Sequence, residues 1–263
     1  MSKLLSLVFS LFCLQLNAQK FMSLPDTMKS AALHYDIRMK SGVGYMRYQF
    51  GEYELKNGKK GWSTSTTTYG TNSLFNILFL AREQQTRIKE KSSFSLVQKE
   101  KDTAFVQVAI NTSLRYTDYS QHLIKIFRHE KELESSSASY VAVIRTTLDT
   151  TEWMLSTFTE EKDFESWNFR KDFRGWLTDG LRVINLRPVF AYDDGKEHVT
   201  GEMLGCIFEE EGRPIAAIQF LGPVFTNFQK QNHIWLPQTD SAFNLVLAAA
   251  STALMARAHQ MRP

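Results

Sequence analysis

The densest mixture of recognition side chains in this chain is Phe164-Glu165-Ser166-Trp167-Asn168-Phe169-Arg170-Lys171-Asp172-Phe173-Arg174-Gly175-Trp176. Aromatic rings are interleaved there with Arg170, Lys171 and Arg174. That mixture suits a membrane interface, or stacking on sugar rings or bases. At helical spacing Phe169, Phe173 and Trp176 share one face and the three basic residues lie opposite. A segment of that kind can also simply dock its rings on the body of the protein and leave its charges in water. Trp167, Arg170, Lys171, Arg174 and Trp176 are the candidate ligand- or surface-binding residues.

Other reactive types are scattered. The six histidines are His34, His122, His129, His198, His233 and His259. None pairs with another at a helical ligand spacing such as H-x-x-x-H. His233 lies beside the last expected strand and reads as a structural histidine. Asp193, Asp194, Glu197, Glu202 and the run Glu209 to Glu211 supply carboxylates. Paired carboxylates perform acid/base hydrolysis when held a few ångströms apart. These sit at turns, where acidic residues are favoured by backbone hydrogen bonding and solvation. No catalytic constellation, cofactor motif or metal motif stands out.

The N-terminus has the pattern of an export address. Lys3 is the single charge among the first eighteen residues, an apolar stretch runs from Leu4 to Leu16, and small Ala18 ends it. A short basic start, an apolar core and a small-residue exit define a signal peptide. The run is too short for a membrane span, which needs about 20 apolar residues. Cys13 follows Phe12, not the small residue a lipobox requires. Residues 1–18 are therefore expected to be removed, leaving an exported protein, periplasmic or secreted, that begins at Gln19. That start resembles many exported proteins of the Bacteroidetes group. So does a recurring Asp-Ser/Thr at Asp26, Asp102, Asp149 and Asp240, which resembles their O-glycosylation acceptor motif.

Export changes the composition. Removing Lys3 lowers the formal net charge from +3 to +2. So weak a field does not support generic nucleic-acid binding. Removing Cys13 leaves Cys206 alone, which excludes a disulfide within one chain. Cys206 lies in the apolar run Met203 to Phe208 and reads as a buried thiol.

The elements that must position these residues are mostly short strands. Tyr45 to Leu55 ends at Asn57-Gly58, a strong hairpin signal. Trp62 to Tyr69 returns with a Ser/Thr run suited to an exposed or edge strand. Leu74 to Leu80, Phe94 to Gln98, Phe105 to Ile110, Leu123 to Phe127, Tyr140 to Thr147, Trp153 to Thr159 and Leu181 to Val189 follow. Asp193-Asp194-Gly195 is a turn. Met203 to Phe208 and Ile215 to Leu221 are apolar on both alternating faces, with a turn at Glu210 to Arg213. Strands of that kind are usually covered on both sides.

Pro237 then stops the chain, and Thr239 or Asp240 can cap a helix. Ser241 to Ala256 reads SAFNLVLAAASTALMA, without a charge. A helix with no polar face is a core helix or a membrane span. Its sixteen residues rise about 24 Å, short of a hydrocarbon core of about 30 Å. A buried helix over about 240–258 is expected. Its alanines make it thin enough to run through a barrel.

The series His233-Ile234-Trp235-Leu236-Pro237, then Asp240, then Phe243-Asn244-Leu245-Val246-Leu247-Ala248-Ala249-Ala250 resembles the tubby-like superfamily, which includes the LURP-one-related proteins and the phospholipid scramblases. The resemblance implies one domain over residues 19–263: an all-β antiparallel barrel closed around an apolar C-terminal helix. An open β-sandwich with the helix on one face is the alternative.

Three function classes follow. The first is an exported non-enzymatic binding or structural protein. The second is a tubby-like binder of lipid or of the envelope surface. The third is a hydrolase using dispersed carboxylates.

Overall fold

The computed structural model describes residues 20–40, 47–69, 82–99, 102–118, 131–161, 173–197, 203–220, 232–238 and 241–260. Among the described residues thirteen antiparallel strands form one sheet. They are β1 (Leu33–Asp36), β2 (Arg38–Lys40), β3 (Arg47–Phe50), β4 (Tyr53–Tyr69), β5 (Arg82–Gln98), β6 (Asp102–Asp118) and β7 (Lys131–Thr146). β8 (Glu152–Glu161), β9 (Arg174–Thr178), β10 (Val183–Val189), β11 (Gly205–Glu210), β12 (Arg213–Gln219) and β13 (His233–Leu236) complete the series. A short helix, α1, spans Asp26–Ala31, and a long one, α2, spans Ser241–Gln260.

The sheet order runs β1-β13-β12-β11-β10-β9-β8-β7-β6-β5-β4-β3-β2. Its two ends, β1 and β2, are separated in the chain by Ile37 alone. One bent stretch of backbone therefore pairs β13 on one side and β3 on the other, and the sheet is a nearly closed barrel. The open sandwich is thereby displaced. A barrel of this kind spares most strands an unpaired edge.

Alternation fills the interior. Val106, Ile144 and Trp153 face one another in register, as do Leu155, Leu177 and Ile184. All six are buried. α2 packs against β6, β7, β12 and β13, and Leu245 to Ala256 is buried on every side. The uncharged, alanine-rich run becomes a core helix because it has no face to give to water. Among the described residues no helix is long and apolar enough to cross a membrane. Thr239 and Asp240 lie outside the described residues, but Asn244 Nδ2 donates to the Pro237 carbonyl at 2.9 Å and ties the first turn to β13.

Polar contacts join the helix to the wall. Tyr140 Oη donates to the Ala253 carbonyl at 2.8 Å. Arg257 donates to the hydroxyls of Thr157 and Thr159 and lies over the Tyr140 ring. Tyr140→Phe removes the first contact and keeps the ring. It is expected to lower the unfolding free energy by about 1 kcal/mol. Denaturant midpoints measure this; an unchanged midpoint would show that the hydroxyl does nothing to hold α2.

The double-sided hairpin is covered twice, as its sequence requires. α2 packs against β12 from inside, and residues 20–32 cross the outside, burying Met22, Leu24 and Met28. The turn at Glu211 and Gly212 has both residues at positive φ, 50° and 77°. That is the primed hairpin geometry matched to strand twist.

One turn falls elsewhere than expected. Asn57-Gly58 does not reverse the chain. β4 continues through it with a register shift between Lys56 and Lys59, and Asn57 takes φ 54° at the bulge. The hairpin turns earlier, at Gly51-Glu52, where Gly51 has φ 50°. Flanking Phe50 and Tyr53 stack at 5.2 Å there, and such cross-strand aromatic pairs pin register. The expected edge character of Trp62 to Tyr69 is present: this half of β4 is exposed throughout and among the described residues pairs only β5. The expected strands Leu74 to Leu80 and Leu123 to Phe127 lie outside the described residues.

Candidate functional site

Strand residues two apart share a face. On β13, buried Ile234 and Leu236 face α2, so His233 and Trp235 face outward. β1 pairs with β13 with His34 opposite Trp235 and Asp36 opposite His233. Residues directly opposite share a side of the sheet. Four side chains therefore meet on the outer wall, at the seam where the first strand completes the barrel.

Their geometry is close. His233 Nδ1 lies 2.9 Å from Asp36 Oδ1 and 3.2 Å from His34 Nε2. His34 Nε2 lies 3.8 Å from Asp36 Oδ1. The His34 ring stacks on Trp235 at 5.0 Å, tilted by 15°. His233 is 1% exposed at its side chain, whereas His34 is 37% and Asp36 71% exposed. The site has a fixed floor and an open rim.

One proton must serve two contacts in this arrangement. A neutral imidazole nitrogen carries either a hydrogen or a lone pair. If His233 Nδ1 carries hydrogen, it donates to Asp36 and shares that one proton with the His34 lone pair. If it does not, its own lone pair faces a carboxylate oxygen at 2.9 Å. Burial, then the neighbouring His34, push the His233 pKa down to about 4, against the pull of Asp36. Burial also lowers the His34 pKa, opposed by Asp36. Among the described residues, these three are the His/Cys/Asp/Glu group whose ligand atoms converge, all within 4.8 Å, closely enough to hold a metal ion.

The N-terminal segment forms one wall. Phe21 packs against both histidines, its ring centre 5.4 Å from His34 and 4.9 Å from His233. Met22 N donates to Gln219 Oε1 at 2.8 Å, and Gln219 Nε2 donates to the Lys20 carbonyl at 3.1 Å. Gln219 is the β12 neighbour of His233. Ser23 N reaches the Ala191 carbonyl, and Lys20 pairs with Asp194 at 3.2 Å.

Comparison with known proteins finds no match among family models, curated proteins or solved structures.

The residues singled out by sequence fall elsewhere. Trp167, Arg170 and Lys171 lie outside the described residues. Arg174 and Trp176 are on β9, which is a strand and not the helix that the spacing suggested. The expected separation of rings from charges is thereby overturned: Arg174 and Trp176 share the exposed face, while Gly175 and Leu177 are buried. Gly175 is the physical reason, because a side chain there would meet Leu186 Cδ1 at 2.7 Å. The side chains of Leu186 and Thr157 close directly over the Gly175 backbone. Arg174 stands opposite Phe158, and Trp176 lies between Ser156 and Asn185.

The described turn carboxylates mostly pair with bases one at a time. Asp194 meets Lys20, Glu209 meets Arg187 at 2.6 Å and Glu210 meets Arg182 at 3.9 Å. Cys206 is fully buried, and burial pushes its pKa up to about 12. That is the inert thiol expected, without the lowered pKa of a reactive one.

His34, Asp36 and His233 were missed as a set because the search used helical spacing. On strands the signal is period two: His34-Tyr35-Asp36 and His233-Ile234-Trp235. Only the pairing of the first strand with the last unites them.

Proposed function

We propose that this is an exported, non-enzymatic binding protein that works through the outer seam of a filled barrel. The observation that carries it is the convergence of His34, Asp36 and His233 on the outer wall, behind which α2 packs the interior. A barrel filled by its own helix has given its interior to stability, so recognition falls to the outside. The exported state rests on the leader over residues 1–18.

Two measurements test this reading. N-terminal sequencing of protein from the envelope or medium of expressing cells should find a start at Gln19. Intact protein retained in the cytoplasm would sink export. Trp235 stacks on His34, so its emission reports the seam. Titration with transition-metal ions, inorganic phosphate and acetate should shift an emission component that Trp235→Phe removes. No shift with any of them would sink the seam.

A second reading keeps the tubby-like kinship and a lipid or envelope-surface ligand. It is favoured by the exposed pair Arg174 and Trp176 beside Phe158 on the outer face. Co-sedimentation with anionic vesicles should then fall severalfold when Arg174 and Trp176 become alanine. Equal sedimentation would end it.

A further inference from the structure

We infer that His34 Nε2, Asp36 Oδ1 and His233 Nδ1 are the protein ligands of a divalent transition-metal site of the zinc class. This names the ligand of the seam and rests on the reading of the seam as the binding surface.

Distance is the first argument. The three separations are 2.9, 3.2 and 3.8 Å. The point equidistant from three atoms so placed lies about 2.0 Å from each, and zinc–nitrogen and zinc–oxygen bonds are about 2.0–2.2 Å. An ion fits there with only small adjustment of the side chains. Two of these separations are also hydrogen-bond lengths, so the ion takes the place of a shared proton.

Charge is the second argument. The three atoms offer lone pairs to a common centre, and one proton on His233 serves two contacts only as a shared, bent bond. A cation satisfies all three together. With Asp36 ionised and both imidazoles neutral, the ligand set carries one negative charge. A divalent ion overcompensates it, which leaves the bound ion attractive to water or an anion.

Ligand type selects the class. Two imidazoles and one carboxylate suit zinc and its transition-metal neighbours. Calcium and magnesium ask for six or more oxygens. The exposure of His34 and Asp36 gives the ion an entry path and leaves room for solvent as a further ligand. Buried His233 and the stacking of Trp235 on His34 hold the imidazoles in place, as supporting contacts do in metal sites.

The test uses purified protein without a histidine tag, stripped with EDTA. Zn²⁺ titrated by calorimetry should bind at one equivalent, and Co²⁺ should give d–d absorption of a low-coordinate nitrogen–oxygen site. Asp36→Asn and His34→Gln change exposed positions on β1 and should leave the far-UV dichroism unchanged. Each should weaken Zn²⁺ binding at least tenfold, and His233→Gln should do the same if it folds. Absence of saturable binding by folded protein would overturn the metal, as would unchanged affinity in Asp36→Asn and His34→Gln. If Zn²⁺ fails while Trp235 emission still responds to phosphate or acetate, the metal falls and the seam stands. If neither responds, both fall.

Discussion

Gly205→Ala is expected to leave the protein without a stable native state. Gly205 opens β11, between β10 and β12, opposite Val189 and Gln219. A Cβ added there would lie 2.0 Å from the Ile218 carbonyl oxygen, 2.9 Å from Gln219 Cα and 2.8 Å from Met22 Sδ. Two of those atoms are backbone of the paired strand, so no rotamer change relieves the clash. Either β12 moves from β11 or the ladder breaks. Either way Gln219 shifts, and with it the hydrogen bonds that hold Lys20 and Met22. Loss of ladder, packing and cover together places the cost above about 4 kcal/mol, in the range reserved for severe core disruption. Far-UV dichroism and thermal unfolding measure it. A variant melting within a few degrees of the parent would show that the strands separate at little cost. Gly180, by contrast, has nothing within 4 Å of its absent Cβ. Its φ of 91° still strains any replacement, so that site serves as a milder comparison.

The same region shows what was legible in the sequence. Period-two alternation marked most described strands, because a half-buried strand must show it. The two-sided hairpin announced two layers of cover, but not their identity. α2 was readable as one layer from its uncharged run. Residues 20–32 were not, because Phe21, Met22, Leu24 and Met28 form no periodic stripe. The Asn57-Gly58 signal was real local chemistry, spent on a bulge when the Phe50–Tyr53 pair had already turned the chain. Closure of the barrel through Ile37 left no mark at all. Closure depends on which strand meets β13, a long-range choice made by shape and burial across 199 positions between His34 and His233. The candidate site inherits that blindness. Each half carries two polar or aromatic residues at strand spacing, a pattern common on any outer sheet face. It becomes chemistry only when the halves pair.

The pairing should also make the metal-free protein lose stability in mild acid. His233 has its pKa pushed down to about 4, first by burial and then by His34. An unfolded histidine titrates near about 6.5. Between those values the unfolded chain holds a proton that the native site refuses, so stability rises with pH across the interval. His233 therefore contributes nothing adverse above about pH 6.5, destabilises progressively as pH falls, and exerts its full cost below about pH 4. That cost is about 3 kcal/mol. His34 acts in the same direction, since burial lowers its pKa as well. Asp36 opposes both, and it is the described carboxylate that faces the pair. Phe21, Gln219 and Trp235, the other neighbours, carry no charge to offset an imidazolium. Denaturant unfolding in EDTA at pH 7.5 and pH 4.5 should show most of the loss, and His233→Gln should remove most of it. The variant is the necessary comparison, because other groups across the protein also begin to titrate near the lower pH. Equal losses in parent and variant would place the acid sensitivity elsewhere. They would also show that the seam accepts a proton with ease, as a looser pairing of β1 and β13 would allow.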